Sequence, residues 1–424
     1  MKPIRISLVV FTLLAILLMS SSPALAQVSQ DKRPARLTPV VLIPGWGATR
    51  LKVEVRDQSV VPECPRSGIF EYTLWAQPNT AYTQVCADKL LTMVYKFDKP
   101  NSAPHVSDKK GVRVTIEDYG KTESEPWYEG LYAFLELTGY TRNLNLRVAG
   151  YDFRLNPDMG GFMERTTTLI EETYRENHNT PVHLIAHSNG PIYAQYLLTH
   201  TSQQWKNKYI QGYTPIAANL PGQGGMYYEL FTGFNIATLT NPADLENAAS
   251  SAAMYESHPS TYLTISDPTY FGDREVVIRV GPGGKEYTPK DARKLFKDAG
   301  LRLAEKIAPY YWGSVKFKPP FFPNVDVYAE KGSGLDTVVG IELPSLKVGQ
   351  LIDDTTVWIT MDGDGNQENI TNDSILVWQA MPCYHFELND NPGAFHMELP
   401  NSTPAVQNRL LAHLQQQRSV CPVK

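Results

Sequence analysis

The 424-residue chain has only four cysteines, and no two of them stand at C-x-x-C spacing. That lack removes the commonest zinc and redox arrangements. Neither sign of charge dominates: 39 Lys and Arg stand against 44 Asp and Glu, for a formal net charge of -5. With no long basic run, a nucleic-acid surface is not expected. After residue 26 no apolar stretch approaches the ~20 residues that a membrane-spanning helix needs. No internal repeat is seen. What remains is 42% hydrophobic, enough to bury the core of one large domain or two modest ones. The 31 prolines and 23 tyrosines predict long, structured loops.

The N-terminus reads as a secretory signal. Lys2 and Arg5 precede an apolar run from Ile6 to Met19, and Ala24-Leu25-Ala26 places small residues before Gln27. Cleavage near Ala26-Gln27 leaves a soluble chain of residues 27–424, secreted or lumenal; an uncleaved anchor is the alternative. In an oxidising compartment Cys64, Cys86, Cys383 and Cys421 allow three pairings. The two local ones, Cys64 with Cys86 and Cys383 with Cys421, are preferred. Asn369, Asn372 and Asn401 begin N-x-S/T sequons.

Pro39 to Gly45 is a short apolar run closed by a Pro-Gly turn, as in a buried parallel strand. Asn145–Val148 and Val182–Ala186 repeat the pattern. Helical spacing marks 162–174, and Ile192–Leu198 reads as a further helix. Strand and helix in alternation predict a mostly parallel sheet covered on both faces. Two stretches fit it badly. Residues 58–87 carry Trp75 among other aromatics. Residues 219–242 surround Met226, Tyr227, Tyr228 and Phe231 with glycines. The second reads either as a mobile, lipid-contacting lid or as an ordinary packed loop.

Ala186-His187-Ser188-Asn189-Gly190 falls between such a strand and helix. It is the G-x-S-x-G nucleophile elbow with alanine at its first position, which predicts an α/β-hydrolase fold with Ser188 as nucleophile. Small neighbours are needed because the serine sits on a tight, strained turn. His187 reads as a packing residue. The oxyanion would take two backbone N–H donors, from Asn189 and, in the Pro44-Gly45-Trp46-Gly47 loop, from Trp46.

In this fold the acid and then the histidine follow the serine. Of His200, His258, His385, His396 and His413, His396 lies in a turn-rich loop after the predicted strand 384–388 and is the chosen base. His385 is the reserve, and His413 is expected to face solvent from a C-terminal helix. Met361-Asp362-Gly363-Asp364-Gly365 offers the acid. Asp364 is preferred and Asp362 is the reserve. The same loop lacks the remaining ligands of a twelve-residue calcium site, so no metal and no cofactor is called for.

Together these residues resemble the lecithin:cholesterol acyltransferase and lysosomal phospholipase A2 family. Gly139-Tyr140-Thr141-Arg142, Gly150-Tyr151-Asp152-Phe153-Arg154, Gly363-Asp364-Gly365 and His396-Met397-Glu398 match its segments in order. The resemblance implies an enzyme that removes a fatty acyl chain from a glycerophospholipid and passes it to water or a lipid alcohol such as a sterol. It further implies a monomer that contacts a phospholipid membrane or lipid particle peripherally. It places Trp75 in a membrane-facing loop (about 58–87) closed by Cys64 and Cys86, and lid and cap insertions at about 217–320. Asp152 and Arg154 become a buried structural charge pair. Trp46 departs from the family pattern and is expected to narrow the acyl or headgroup site; the stretch from Thr214 to Tyr228 departs as well. A secreted esterase or triacylglycerol lipase with the same triad, and a non-catalytic lipid-binding relative, are the competing readings.

Overall fold

Aliphatic runs too short for helices build the centre of the molecule. The computed structural model describes residues 37–64, 68–73, 75, 83–99, 102–234, 242–313, 322–419 and 421. The predicted signal segment lies outside them. Six parallel strands form the main sheet: β1 (Val40–Ile43), β2 (Leu146–Val148), β3 (Val182–His187), β4 (Ile210–Ile216), β5 (Val327–Ser333) and β6 (Phe386–Pro392). Their order is β6-β5-β4-β3-β1-β2. Every residue of β1 and β3 is buried, as expected of parallel strands covered on both faces.

The helix Phe162–Glu176 turns Phe162, Thr166, Leu169, Ile170 and Thr173 inward, the spacing of one helical face. The chain passes from β1 to β2 on one side and then to β3 on the other. A crevice therefore opens at the carboxyl ends of β1 and β3, where α/β sheets hold their ligands. This is the predicted α/β-hydrolase architecture. A four-stranded sheet (Lys285–Tyr287, Ile278–Val280, Leu335–Leu343, Val357–Gly363) was not foreseen. Its Leu335–Leu343 and Val357–Gly363 strands form an antiparallel pair inserted between β5 and the acid turn.

Both local disulfides are present, Cys64–Cys86 and Cys383–Cys421. Arg154 is buried and pairs with Asp152 at 2.7 Å and with Asp108 at 2.8 Å. Of the glycine-rich segment 219–242, residues 235–241 lie outside the described residues, and residues 219–234 pack against the domain. Gly225–Thr232 is a helix buried at every residue, including Met226, Tyr227, Tyr228 and Phe231. Its glycines serve close packing: a Cβ on Gly224 would lie 2.4 Å from the Val339 carbonyl oxygen. Gly233, at φ 70°, closes the helix in the left-handed region.

Trp75 likewise points inward. It is buried, and its indole N–H donates to the Gly47 carbonyl at 2.6 Å. All five of these side chains are buried in this arrangement. His413 is buried, not solvent-facing, with Nε2 2.8 Å from Glu387 and its ring stacked on Tyr328. Of the sequon asparagines, Asn372 is buried, and the Asn401 amide is taken up by the Trp127 and Met397 carbonyls.

Candidate active site

The end of β3 delivers Ser188 at φ 60°, a left-handed conformation that costs a serine energy and persists only where its surroundings enforce it. They do so here. The Ser188 N–H donates to the Ile216 carbonyl at 2.9 Å, and its carbonyl accepts from Asn219 at 3.0 Å. A Cβ on Gly190 would come within 2.3 Å of the Ile43 carbonyl oxygen, so only glycine lets the elbow helix (Gly190–His200) start against β1. Gly45 is tight, though less so, on the facing side, where an added Cβ would lie 3.1 Å from Ser188 Cβ.

The acid arrives on the second sheet. Asp364 is fully buried in the turn after Val357–Gly363. Its Oδ1 accepts the N–H groups of Asn366 at 3.0 Å and Gln367 at 2.7 Å. Its Oδ2 lies 2.7 Å from His396 Nδ1. A backbone bond from the His396 N–H to the Asp364 carbonyl, 2.9 Å, joins the two loops again. These contacts fix the proton on Nδ1 and leave Nε2 as the lone-pair nitrogen. His396 Nε2 is buried and has no hydrogen-bond partner among the described residues. It shares one cleft of about 160 Å³ with Ser188. Serine and imidazole thus line the same space without a direct hydrogen bond, as is common in unliganded sites.

The remaining walls come from Trp46, Trp127, Asn189, Met226, Thr264 and Phe395, among others. Trp46 packs edge-on against Phe153, ring centroids 4.9 Å apart, and lies near Trp75 and Tyr255. Neither the Trp46 N–H nor the Asn189 N–H is engaged by another described residue. The Gly45 N–H, in contrast, donates to the Tyr128 hydroxyl at 2.8 Å. That hydroxyl lies 2.9 Å from His187 Nδ1, and His187 Nε2 lies 3.1 Å from the His396 carbonyl. Burial, with His396 adjacent, holds the His187 imidazole far below its ordinary pKa and so neutral. Burial also pushes the Tyr128 phenol upward. Beneath the acid turn, burial raises Glu368, which accepts from Gly224 N–H at 3.1 Å, and it raises Glu275 as well.

The structure therefore brings Ser188, Asp364, His396, Trp46 and Asn189 to one place. Met226 lines the same cleft, whereas Tyr227, Tyr228 and Phe231 do not. The reserve residues lie elsewhere. His385 is exposed beside Glu387, and Asp362 accepts the Gly334 N–H at 2.7 Å. Sequence reading missed Tyr128 altogether and left His187 as packing. Nothing in the spacing of Tyr128 marked it, since 83 residues separate it from Gly45.

Sheet order, elbow and acid–imidazole pair define a member of the α/β-hydrolase class with the side chains of a serine hydrolase. Comparison with known proteins narrows the class. The family model described as lecithin:cholesterol acyltransferase matches residues 70–298, just over half of the chain. The chain belongs to the lecithin:cholesterol acyltransferase family. It is 27% identical over 423 residues to the lysosomal phospholipase A and acyltransferase of Homo sapiens, covering 95% of this chain and 96% of that one. It is 27% identical over 365 residues to the phosphatidylcholine-sterol acyltransferase of Gallus gallus, with 77% and 82% covered. A chain in the crystal structure of the Tle4-Tli4 complex superposes with a TM-score of 0.55 at 12% identity, over 90% of this chain and 99% of that chain. That likeness concerns the fold alone.

Proposed function

We propose that this chain is a phospholipase A and O-acyltransferase that works through an acyl-Ser188 intermediate. His396 Nε2 takes the Ser188 hydroxyl proton as Oγ attacks an acyl ester of a glycerophospholipid. Asp364 steadies the resulting imidazolium, and the N–H groups of Trp46 and Asn189 receive the oxyanion. The imidazolium then protonates the departing lipid alcohol. In the second half, water or a lipid alcohol such as a sterol gives its proton to His396 and takes the acyl group, and the imidazolium returns that proton to the departing Ser188 Oγ. The observation that carries this reading is the Asp364–His396 contact of 2.7 Å, which leaves Nε2 unpartnered in the cleft that holds a strained Ser188. On the same reading residues 1–26 are removed as a signal, and the enzyme acts outside the cytosol on a phospholipid surface.

A second reading has a specific observation behind it. The aromatic rings of Trp46, Trp127, Tyr128 and Phe395 line the cleft, and bulky walls of this kind favour short acyl esters over long lipid chains. One experiment decides between them. Purified protein is offered phospholipid liposomes, with and without sterol, and short-chain soluble esters in parallel, and the products are resolved. Lysophospholipid and, with sterol, steryl ester are expected. Turnover of soluble esters alone would favour the esterase. Absence of fluorophosphonate labelling at Ser188, judged against Ser188→Ala, would sink both.

A further inference from the structure

The three loops that meet at the cleft come from distant parts of the chain, and two buried side chains join them. We infer that Tyr128 and His187 form a positioning bridge that sets both the oxyanion turn and the base for catalysis; the inference rests on the serine-hydrolase reading above. Each link has a single allowed direction. The Gly45 N–H can only donate, so the Tyr128 oxygen accepts it over 2.8 Å. The His396 carbonyl can only accept, so His187 Nε2 carries the proton across 3.1 Å. A neutral His187 then has its lone pair on Nδ1, which takes the Tyr128 O–H over 2.9 Å. Every donor in the chain from Gly45 to His396 is spent, and each of these side chains is almost fully buried.

Two consequences follow. The Gly45 N–H is held away from the cleft, which leaves the next N–H, that of Trp46, as the free donor of the turn. At the other end the bridge grips the backbone of the residue whose ring must face Ser188. His187 is fixed to the elbow by sequence, its ring centroid 4.6 Å from that of His396. Nucleophile, oxyanion turn and base are thereby tied at one point by two side chains that back the cleft wall and are fully buried.

The test uses the full chain and three variants: Tyr128→Phe, His187→Gln, and both together. Phenylalanine fills the Tyr128 site but releases the Gly45 N–H. Glutamine keeps an N–H for the His396 carbonyl but breaks the link to Tyr128. Each single variant is expected to slow fluorophosphonate labelling of Ser188, and kcat on a soluble ester, by roughly 10- to 100-fold, the cost of misplacing reacting groups by a fraction of an ångström to an ångström. KM stays near the wild-type value, and thermal melts confirm folding. Because both substitutions cut one chain, the double variant falls little further than either single one. Labelling at the wild-type rate, a loss confined to KM, or single effects that multiply would overturn the bridge. If Tyr128→Phe does not fold, His187→Gln alone decides, since its amide retains the contact to the His396 loop. An unlabelled wild type would instead overturn the serine-hydrolase reading, and the bridge's catalytic role with it.

Discussion

Replacing Asp364 by asparagine tests the site with almost no change of shape. The native carboxylate accepts three hydrogen bonds: from the Asn366 and Gln367 N–H groups on Oδ1, and from His396 Nδ1 on Oδ2. An asparagine that keeps its oxygen toward the two backbone donors must turn its NH2 to the imidazole. His396 Nδ1 then becomes the acceptor, the proton moves to Nε2, and the base has no lone pair for Ser188. Loss of the correct tautomer in a triad lowers kcat by about 10⁴-fold, or about 5.5 kcal/mol of transition-state stabilisation. The fold should lose far less, about 1 kcal/mol for the exchanged contact, because the turn keeps both of its backbone bonds. Initial rates on a soluble ester, labelling of Ser188, and a urea melt separate the two effects. Asp362→Asn is the control and should stay close to wild type, its carboxylate being occupied by Gly334. Turnover of Asp364→Asn within about tenfold of wild type, or a larger loss in Asp362→Asn, would refute the assignment.

Three further outcomes follow from burial. Burial raises Asp88 from 3.8 to about 6, so its neutral form favours the fold; that contribution is fully present below pH 3.8 and is lost as pH rises through about 6. Asp88→Asn should therefore be more stable than wild type above neutral pH, by at most about 3 kcal/mol, and the gain should vanish near pH 4; parallel stability curves would defeat this. Gly190→Ala drives a methyl onto the Ile43 carbonyl oxygen at 2.3 Å and should cost roughly 1–3 kcal/mol, read as a lower urea midpoint with lower activity. Phe231→Ala, in the buried helix Gly225–Thr232, should cost about 3–5 kcal/mol and reduce turnover of liposomes and soluble esters in the same proportion; a loss confined to liposomes would restore the lid.

The legible parts of the sequence were those where one physical demand has one composition. Strands buried on both faces must be apolar throughout, so β1 and β3 stood out, and Val182–His187 ends one residue from its expected limit. The elbow needs small residues around the serine, and Ala186, Gly190 and the following helix satisfy that visibly. The glycine-rich segment was ambiguous because close helix packing and a hinge call for the same residue. Gly224 meets the Val339 backbone, and only the structure reveals that partner. His413 was misjudged since one side of the Pro404–Gln415 helix is inward, and Glu387 supplies the contact that lets a histidine occupy it. Tyr128 was invisible: a tyrosine in a short helical turn carries no sign of the N–H it will accept.

The acid shows most clearly what sequence order hides. Serine and histidine each follow a strand of the central sheet directly, β3 and β6, but Asp364 follows an excursion from β5 through the strands Leu335–Leu343 and Val357–Gly363. Its carboxylate therefore meets His396 only if two sheets pack in register. Glycines make that contact possible. An added Cβ on Gly332 would lie 2.6 Å from the Ala394 carbonyl oxygen and 2.8 Å from Asp364 Cβ; one on Gly363 would lie 2.3 Å from the Gln367 carbonyl oxygen. These positions have no chemistry of their own, yet Gly332 stands between the histidine loop and the acid turn, and Gly363 stands where the acid turn folds back on Gln367 and Thr337. Packed interiors shift as units and do not stretch, so a methyl there moves the carboxylate away from the imidazole. The acid–base pair is held as firmly by the absence of side chains at Gly332 and Gly363 as by its own hydrogen bond.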